Sequence, residues 1–213
     1  MKIIKKILIA VGILVGVILV LYALYVYKCK SELGKFHPNE TKEIVQGIYS
    51  VKDIFVNLYF VKTGSNYVAI DAASNLQNVK QEMDKLNITP KKVIAILLTH
   101  TDYDHVGALE LFKNAKVYIS SAEEQMINGK TVRELINNKN RLDSAYEMIV
   151  DNQMLDISGL KVKGILTPGH TPGSMSYIIN DRYLFTGDTL SIKDGKAELF
   201  NRFFNMDSDK EGK

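Results

Sequence analysis

The chain has 213 residues, a formal net charge of +3, 46% hydrophobic residues, a single Cys and no Trp. That length suits one domain of ordinary size, and a charged share of 24% excludes a disordered or collagen-like chain. The lone thiol, Cys29, excludes an internal disulfide, and scattered lysines with arginine only at Arg133, Arg141, Arg182 and Arg202 imply no nucleic-acid patch.

Ile7 to Tyr27 holds only aliphatic, Gly, Ala and Tyr residues. As a helix it spans roughly 30 Å, the thickness of a bilayer's hydrocarbon core. Lys2, Lys5 and Lys6 precede it, and Tyr22, Tyr25 and Tyr27 cluster at its far end, where an aromatic belt sits. A cleaved signal peptide is the competitor, but this run exceeds the usual roughly 7–15 apolar residues and no small-x-small site follows. The expectation is an uncleaved anchor over residues 1–28, its transmembrane helix covering about 7–27, in contact with the lipid bilayer. The positive-inside bias favours a cytoplasmic N-terminus and a single-pass membrane protein whose globular domain is extracytoplasmic. Residues 29–43, polar with Gly34 and Pro38, read as a tether, and the globular pattern occupies 44–213.

Ile48 to Val51, Leu58 to Val61 and Tyr67 to Ile70 are short and rich in β-branched and aromatic residues, and they read as antiparallel strands of one sheet. Ser74-Asn75-Leu76-Gln77 matches a capping box, and Leu76, Val79, Met83 and Leu86 then fall at helical spacing. Val93 to Leu98 is an unbroken apolar run of strand length, as for a strand buried on both faces. A helix over His105 to Lys113 and a strand over Lys116 to Ser120 follow, and Ala122 to Met148 reads as polar and mostly helical. Strands return at Leu160 to Leu166, Ser176 to Ile179 and Tyr183 to Phe185, the last two joined by a tight turn at Asn180-Asp181. The sum is an α/β (α+β) layered domain.

Three of the four histidines stand at strand ends; His37 lies in the tether. The densest cluster is Thr99-His100-Thr101-Asp102-Tyr103-Asp104-His105, directly after the buried strand. His100, Asp102 and Asp104 would project to one side of an extended chain, and a helix capped by Asp104 would turn His105 toward the same spot. Crowding two carboxylates and two imidazoles is costly unless a cation compensates them. Thr167-Pro168-Gly169-His170-Thr171-Pro172-Gly173 adds a His in a rigid turn, and Thr186-Gly187-Asp188-Thr189 adds a carboxylate after the last clear strand. An exposed polar loop and ordinary turns are the alternative for each piece alone; six ligand-type residues at one edge of the layers favour a metal site.

The order Thr-His-x-Asp-x-Asp-His, Gly-His-Thr-Pro-Gly and Phe-Thr-Gly-Asp resembles the metallo-β-lactamase superfamily, over about residues 44 to 200. The resemblance implies an αβ/βα sandwich with a mono- or binuclear site, usually zinc, in a cleft at one edge of two facing sheets. By position it implies that His100, Asp102 and His170 hold the first metal, that Asp104 and His105 hold the second, and that Asp188 bridges them. Asp71 would support the site from a neighbouring strand, a turn Asp being the alternative there. The implied chemistry is that of a metallo-hydrolase. A metal-bound hydroxide, oriented by Asp104 as the catalytic residue or formed when Asp104 takes a proton from bound water, would attack a small ester, thioester, lactone or lactam-type substrate.

Two departures qualify this. The family pattern usually has His where Asp102 stands, and a harder carboxylate keeps iron or manganese open beside one or two zinc ions. The pattern also continues beyond Asp188 to a final ligand His, whereas no His follows His170 here. Truncated C-terminal elements are therefore expected, and a catalytically defective, membrane-anchored binding protein is the alternative function.

Overall fold

The computed structural model describes residues 2–133, 140–193 and 195–211. The chain divides into two units, one ending at His37 and one starting at Pro38. The first is built on helix α1 (Lys2–Leu33), 32 residues long. Among the described residues it is the one helix long and apolar enough to cross a membrane. Its aliphatic side chains, Leu8, Val15, Leu19 and Leu24 among them, are exposed. The helix runs past the expected end near Tyr27 because nothing in 28–33 breaks it. Lys28 pairs with Glu32 one turn on at 2.6 Å, and the turn closes only at Gly34, whose N–H donates to the Lys30 carbonyl at 3.0 Å. The first residues of the predicted tether are thus helical.

In the second unit, seven strands form one sheet in sequence order: β1 (Lys42–Val45), β2 (Ile48–Lys52), β3 (Asn57–Thr63), β4 (Asn66–Ile70), β5 (Val93–Leu97), β6 (Lys116–Ser120) and β7 (Tyr146–Ile149). Pairing is antiparallel from β1 to β4 and parallel from β4 to β7. Helix α2 (Leu76–Lys85) is the crossover between β4 and β5. A second, antiparallel sheet contains β8 (Met154–Ile157), β9 (Leu160–Leu166), β10 (Met175–Ile179) and β11 (Tyr183–Phe185), in the order β11-β10-β9-β8. A separate hairpin, β12 (Leu190–Lys193) with β13 (Lys196–Leu199), follows.

Strand alternation sorts the apolar side chains into two cores. Phe60, Ala69 and Ile96 pack with Val79 and Met83 of α2 and with Phe112 on one face of the large sheet. Val61, Val68, Ile70, Ala95 and Leu97 point the other way and pack against Val162, Met175, Tyr177 and Ile179 of the small sheet. Strand β5 is therefore apolar at every position, as the unbroken run predicts. The sheets are also tied by hydrogen bonds at the end of β5: the Tyr177 hydroxyl donates to the Leu98 carbonyl at 2.8 Å, and the Met175 N–H donates to that of Thr99 at 2.8 Å. Asn180 and Asp181 have φ of +51° and +54°, the left-handed pair of a type I′ hairpin turn, as expected.

Several local expectations change. The N-cap of α2 is Asn75, whose side chain accepts from the Asn78 N–H; Ser74 is buried and donates both its N–H and its hydroxyl to Asp53. The helix expected over 105–113 is short helix α3 (Tyr103–Val106) followed by a 3-10 turn, Leu109–Phe112. It is interrupted at Ala108, whose φ of −101° and ψ of 14° leave the helical region, and the His105 carbonyl accepts the Ala72 N–H from another loop at 2.8 Å. The N-cap of α3 is Asp102, without a side-chain cap bond, so Asp104 lies inside the first turn instead of capping it. The mostly helical reading of 122–148 reduces to α4 (Glu124–Asn128), and the stretch ends in β7; residues 134–139 lie outside the described residues.

Candidate metal centre

Every side chain singled out as a candidate ligand lies just beyond the end of a strand, Asp104 and His105 within the short helix α3 and Asp188 within a 3-10 turn. Asp71 follows β4, His100 to His105 follow β5, His170 lies between β9 and β10, and Asp188 follows β11. The carboxyl ends of β4 and β5, two adjacent parallel strands, are where such folds place their ligands. Gly187 makes the last approach possible: its φ is +50°, and a Cβ there would collide with the Thr99 side chain.

Six of the predicted residues converge. The Nε2 atoms of His100 and His170 lie 3.5 and 3.2 Å from Asp102 Oδ2, and that of His105 lies 3.6 Å from Asp104 Oδ2. Asp188 reaches two imidazoles, with Oδ1 3.5 Å from His105 Nε2 and Oδ2 3.4 Å from His170 Nε2. Two compact sets of donor atoms result, His100–Asp102–His170 and His100–His105–Asp188, each with all its donors within 4.8 Å of one another. His100 belongs to both; Asp104 stands beside the second set through His105. His37 belongs to the other unit.

The opposite ring nitrogens show how the imidazoles are held. His105 Nδ1 donates to Asp71 Oδ2 at 2.9 Å. His100 Nδ1 donates to Thr99 Oγ1 at 3.0 Å, and that hydroxyl donates in turn to Asp71 at 2.9 Å. His170 Nδ1 donates to Asn205 Oδ1 at 3.2 Å, and Asn205 donates to Glu211 at 2.5 Å. Each Nδ1 therefore carries a proton, which leaves Nε2 as the nitrogen whose lone pair is offered once the ring is neutral. All three Nε2 atoms are buried and lack a hydrogen-bond partner. Imidazoles oriented through Nδ1, with bare Nε2 atoms facing carboxylates, are the donor arrangement of a divalent-metal site. Asp71 is thus a supporting residue and more than a turn Asp. It has a φ of +62°, a conformation uncommon outside Gly, and its carboxylate also accepts the Thr99 N–H at 2.7 Å.

The electrostatics agree. Burial alone would raise the Asp102 carboxyl, but the neighbouring imidazoles of His100 and His170 and the Arg133 guanidinium hold it well below the usual range. Burial would likewise raise Asp188, and His105 and His170 outweigh it, so its pKa is lowered. His105 is pushed down by burial yet ends well above the ordinary histidine value, because Asp71, Asp104 and Asp188 surround it. For His100, burial and the neighbouring His105 are outweighed by Asp102 and Asp188, and its pKa is raised. His170 ends lowered, with burial the largest cause. The carboxylates stay charged and draw positive charge to the Nε2 atoms.

Four further participants carry no sequence signal of their own. Arg133 Nη2 lies 2.6 Å from Asp102 Oδ2 and donates to the His170 carbonyl at 3.1 Å, while Nη1 donates to the Phe204 carbonyl. Asn140 donates to Asp102 Oδ1 at 3.1 Å and to Thr101 Oγ1 at 3.0 Å. Asn205 orients His170 as described. Glu123 is buried and holds the backbone of two of the loops. Their partners are far away in sequence, so only the fold could reveal them.

Comparison with known proteins leads to the same place. Residues 51–202 match the model of the metallo-beta-lactamase superfamily. A probable polyketide biosynthesis zinc-dependent hydrolase of Bacillus velezensis is 33% identical over 126 residues, which cover 58% of this chain and 49% of that protein. A probable metallo-hydrolase of Bacillus subtilis is 30% identical over 152 residues, 66% of this chain and 68% of that one. The chain thus spans between about half and two thirds of the length of these relatives. A metallo-beta-lactamase structure from Cronobacter sakazakii shares the fold, with a TM-score of 0.59 at 23% identity, over 69% of this chain and 61% of that one. With the larger part of its sequence matched to that family and the family's fold in its two sheets, the chain belongs to the metallo-β-lactamase superfamily.

Proposed function

We propose that the chain is a membrane-tethered, metal-dependent hydrolase that uses zinc on a small ester, thioester, lactone or lactam-type substrate. The observation that carries this reading is the set of three buried, unpaired Nε2 atoms aimed at three carboxylates. His100, Asp102 and His170 would hold one ion and His105 and Asp104 a second, and Asp188, which lies beside both His105 and His170, would contribute its carboxylate to the centre. When bound, such an ion supplies Lewis acidity and a water whose pKa falls from 15.7 to roughly 7.

The protein's own groups do the rest. Asp71, Thr99 and Asn205 keep the imidazoles in one tautomer and one orientation. Asp104, the most exposed of the three site carboxylates at 23%, is the group placed to orient the attacking water and take its proton. The similarity to the Bacillus velezensis relative, a probable zinc-dependent hydrolase, supports zinc. The apolar helix α1 would lie in the bilayer, with Lys2, Lys5 and Lys6 on the cytoplasmic side and the catalytic unit outside.

The test uses the full chain purified in detergent. One to two equivalents of zinc, with turnover of an ester, lactone or thioester panel that a chelator abolishes, is the expected result. A folded, metal-free protein refutes the reading. Bound metal without turnover of any panel member points instead to a binding protein that keeps the centre but lacks the hydrolytic activity. A reporter fused to the C-terminus, active only outside the cytoplasm, checks the orientation.

A further inference from the structure

Glu123, which lies between β6 and α4, is 1% exposed and has no place in the chemistry described above. Its carboxylate accepts four hydrogen bonds. Oε1 takes the Thr101 N–H at 2.8 Å and the Thr101 hydroxyl at 2.8 Å. Oε2 takes the Thr171 hydroxyl at 2.7 Å and the Gly173 N–H at 3.1 Å. Thr101 separates His100 from Asp102, and Thr171 follows His170. One buried carboxylate therefore grips the chain one residue away from each member of the set His100–Asp102–His170.

The surrounding contacts make the grip tight. Gly173 packs so closely on the Glu123 backbone that a side chain at 173 would collide with it. Since Thr171 gives its hydroxyl proton to Glu123, Ser174 Oγ donates to Thr171 Oγ1 at 2.9 Å and accepts the Thr171 N–H at 2.9 Å. On the other loop, Asn140 donates at once to Thr101 Oγ1 and to Asp102 Oδ1. The network reaches no member of the second set except the shared His100. His105 is held from Asp71 instead.

We infer that Glu123 is the positioning residue of the first metal set, a clamp that fixes the spacing between the β5 loop and the His170 loop. Two buried carboxylates share the labour: Glu123 braces His100, Asp102 and His170 through their neighbours in the chain, and Asp71 braces His105 directly and the His100 ring through Thr99. The inference rests on the metal-centre reading above.

Glu123→Gln keeps the shape but turns an NH2 group toward N–H and O–H donors, which loosens the clamp. In the full chain in detergent, zinc binding to one of two equivalents should weaken about tenfold or more, and the visible spectrum of the cobalt-loaded protein should change. Melting of the metal-free variant serves as the fold control. If the variant melts lower yet keeps wild-type zinc affinity and cobalt spectrum, Glu123 is merely structural and the inference is overturned. Should Glu123→Gln fail to fold, Thr171→Val and Thr101→Val each delete a single hydroxyl link and are judged by the same two readouts. A wild-type protein that binds no zinc overturns the hydrolase reading and this inference with it; wild-type binding matched by the variants overturns this inference alone.

Discussion

Asp71→Asn separates the support of the centre from its donors. Asn is nearly isosteric with Asp and, like Asp, tolerates a φ of +62°, so the backbone at the end of β4 is preserved. What changes is the hydrogen bonding. Asp71 accepts from the Thr99 N–H, the Thr99 hydroxyl and His105 Nδ1, at 2.7, 2.9 and 2.9 Å. An amide has one acceptor oxygen and an NH2 group, so at least one of these buried donors meets another donor. Losing a hydrogen bond to a charged group costs about 1.5–3 kcal/mol. For a domain of this size that lowers the melting temperature of the metal-free protein by roughly 2–4 °C per kcal/mol. The effect on metal is larger in kind, because His105 loses the partner that fixes its ring and His100 loses the end of its Thr99 relay. A supporting residue of this type is worth roughly 10–100-fold in affinity, or about 1.4–2.7 kcal/mol. Zinc titration of the full chain against a competing chelator, in detergent, reads this directly. A variant with wild-type zinc affinity would refute the role of Asp71, whatever happens to its melting temperature.

His100 and His170 each bring one imidazole to the set His100–Asp102–His170, so His100→Ala and His170→Ala should each remove one metal equivalent, as elemental analysis of the purified proteins will show. Zinc affinity should fall as the pH is lowered. The pKa values of His100 and His105 are raised by the carboxylates, so their protons must leave before Nε2 can bind, while His170, with its lowered value, contributes little. Zinc binding should therefore release protons, and a pH-independent affinity would contradict the assignment. Gly187→Ala should destabilise by about 1 kcal/mol or more, since it combines a left-handed φ with a clash against Thr99, and denaturant unfolding measures the loss.

The parts of the fold that local chemistry dictates were legible in the sequence. The all-apolar run at Val93 to Leu98 is buried on both faces because alternate residues serve two different cores, and Asn180-Asp181 could hardly be anything but a hairpin turn. The metal-type side chains were legible for a related reason: they cluster in short turns directly after strands, so local order nearly determines their meeting. What failed was whatever depends on distant contacts. Ser74 looks like a helix cap, but Asp53, 21 residues earlier, claims it. Helix α3 stops early, and the carbonyl of its residue His105 is taken by the Ala72 N–H of another loop. Glu123, Arg133, Asn140 and Asn205 are ordinary polar residues in sequence, and their partners lie between 22 and 71 residues away.

Asp102 shows how such distant residues complete a centre whose donors depart from the family pattern. A carboxylate in place of a neutral imidazole adds a full negative charge to the set His100–Asp102–His170, beside Asp188 and Asp104. Left alone, that charge would favour protonation of the buried Asp102 and a softer hold on its position. Arg133 supplies the opposite charge at 2.6 Å from Oδ2, and Asn140 occupies Oδ1 at 3.1 Å. Held by the His170 and Phe204 carbonyls, Arg133 itself has few other positions to take. The departure at 102 is therefore compensated on both carboxylate oxygens. The convergent geometry is kept, and on the proposed metal reading Asp102 would be a harder, already ionised donor in place of an imidazole.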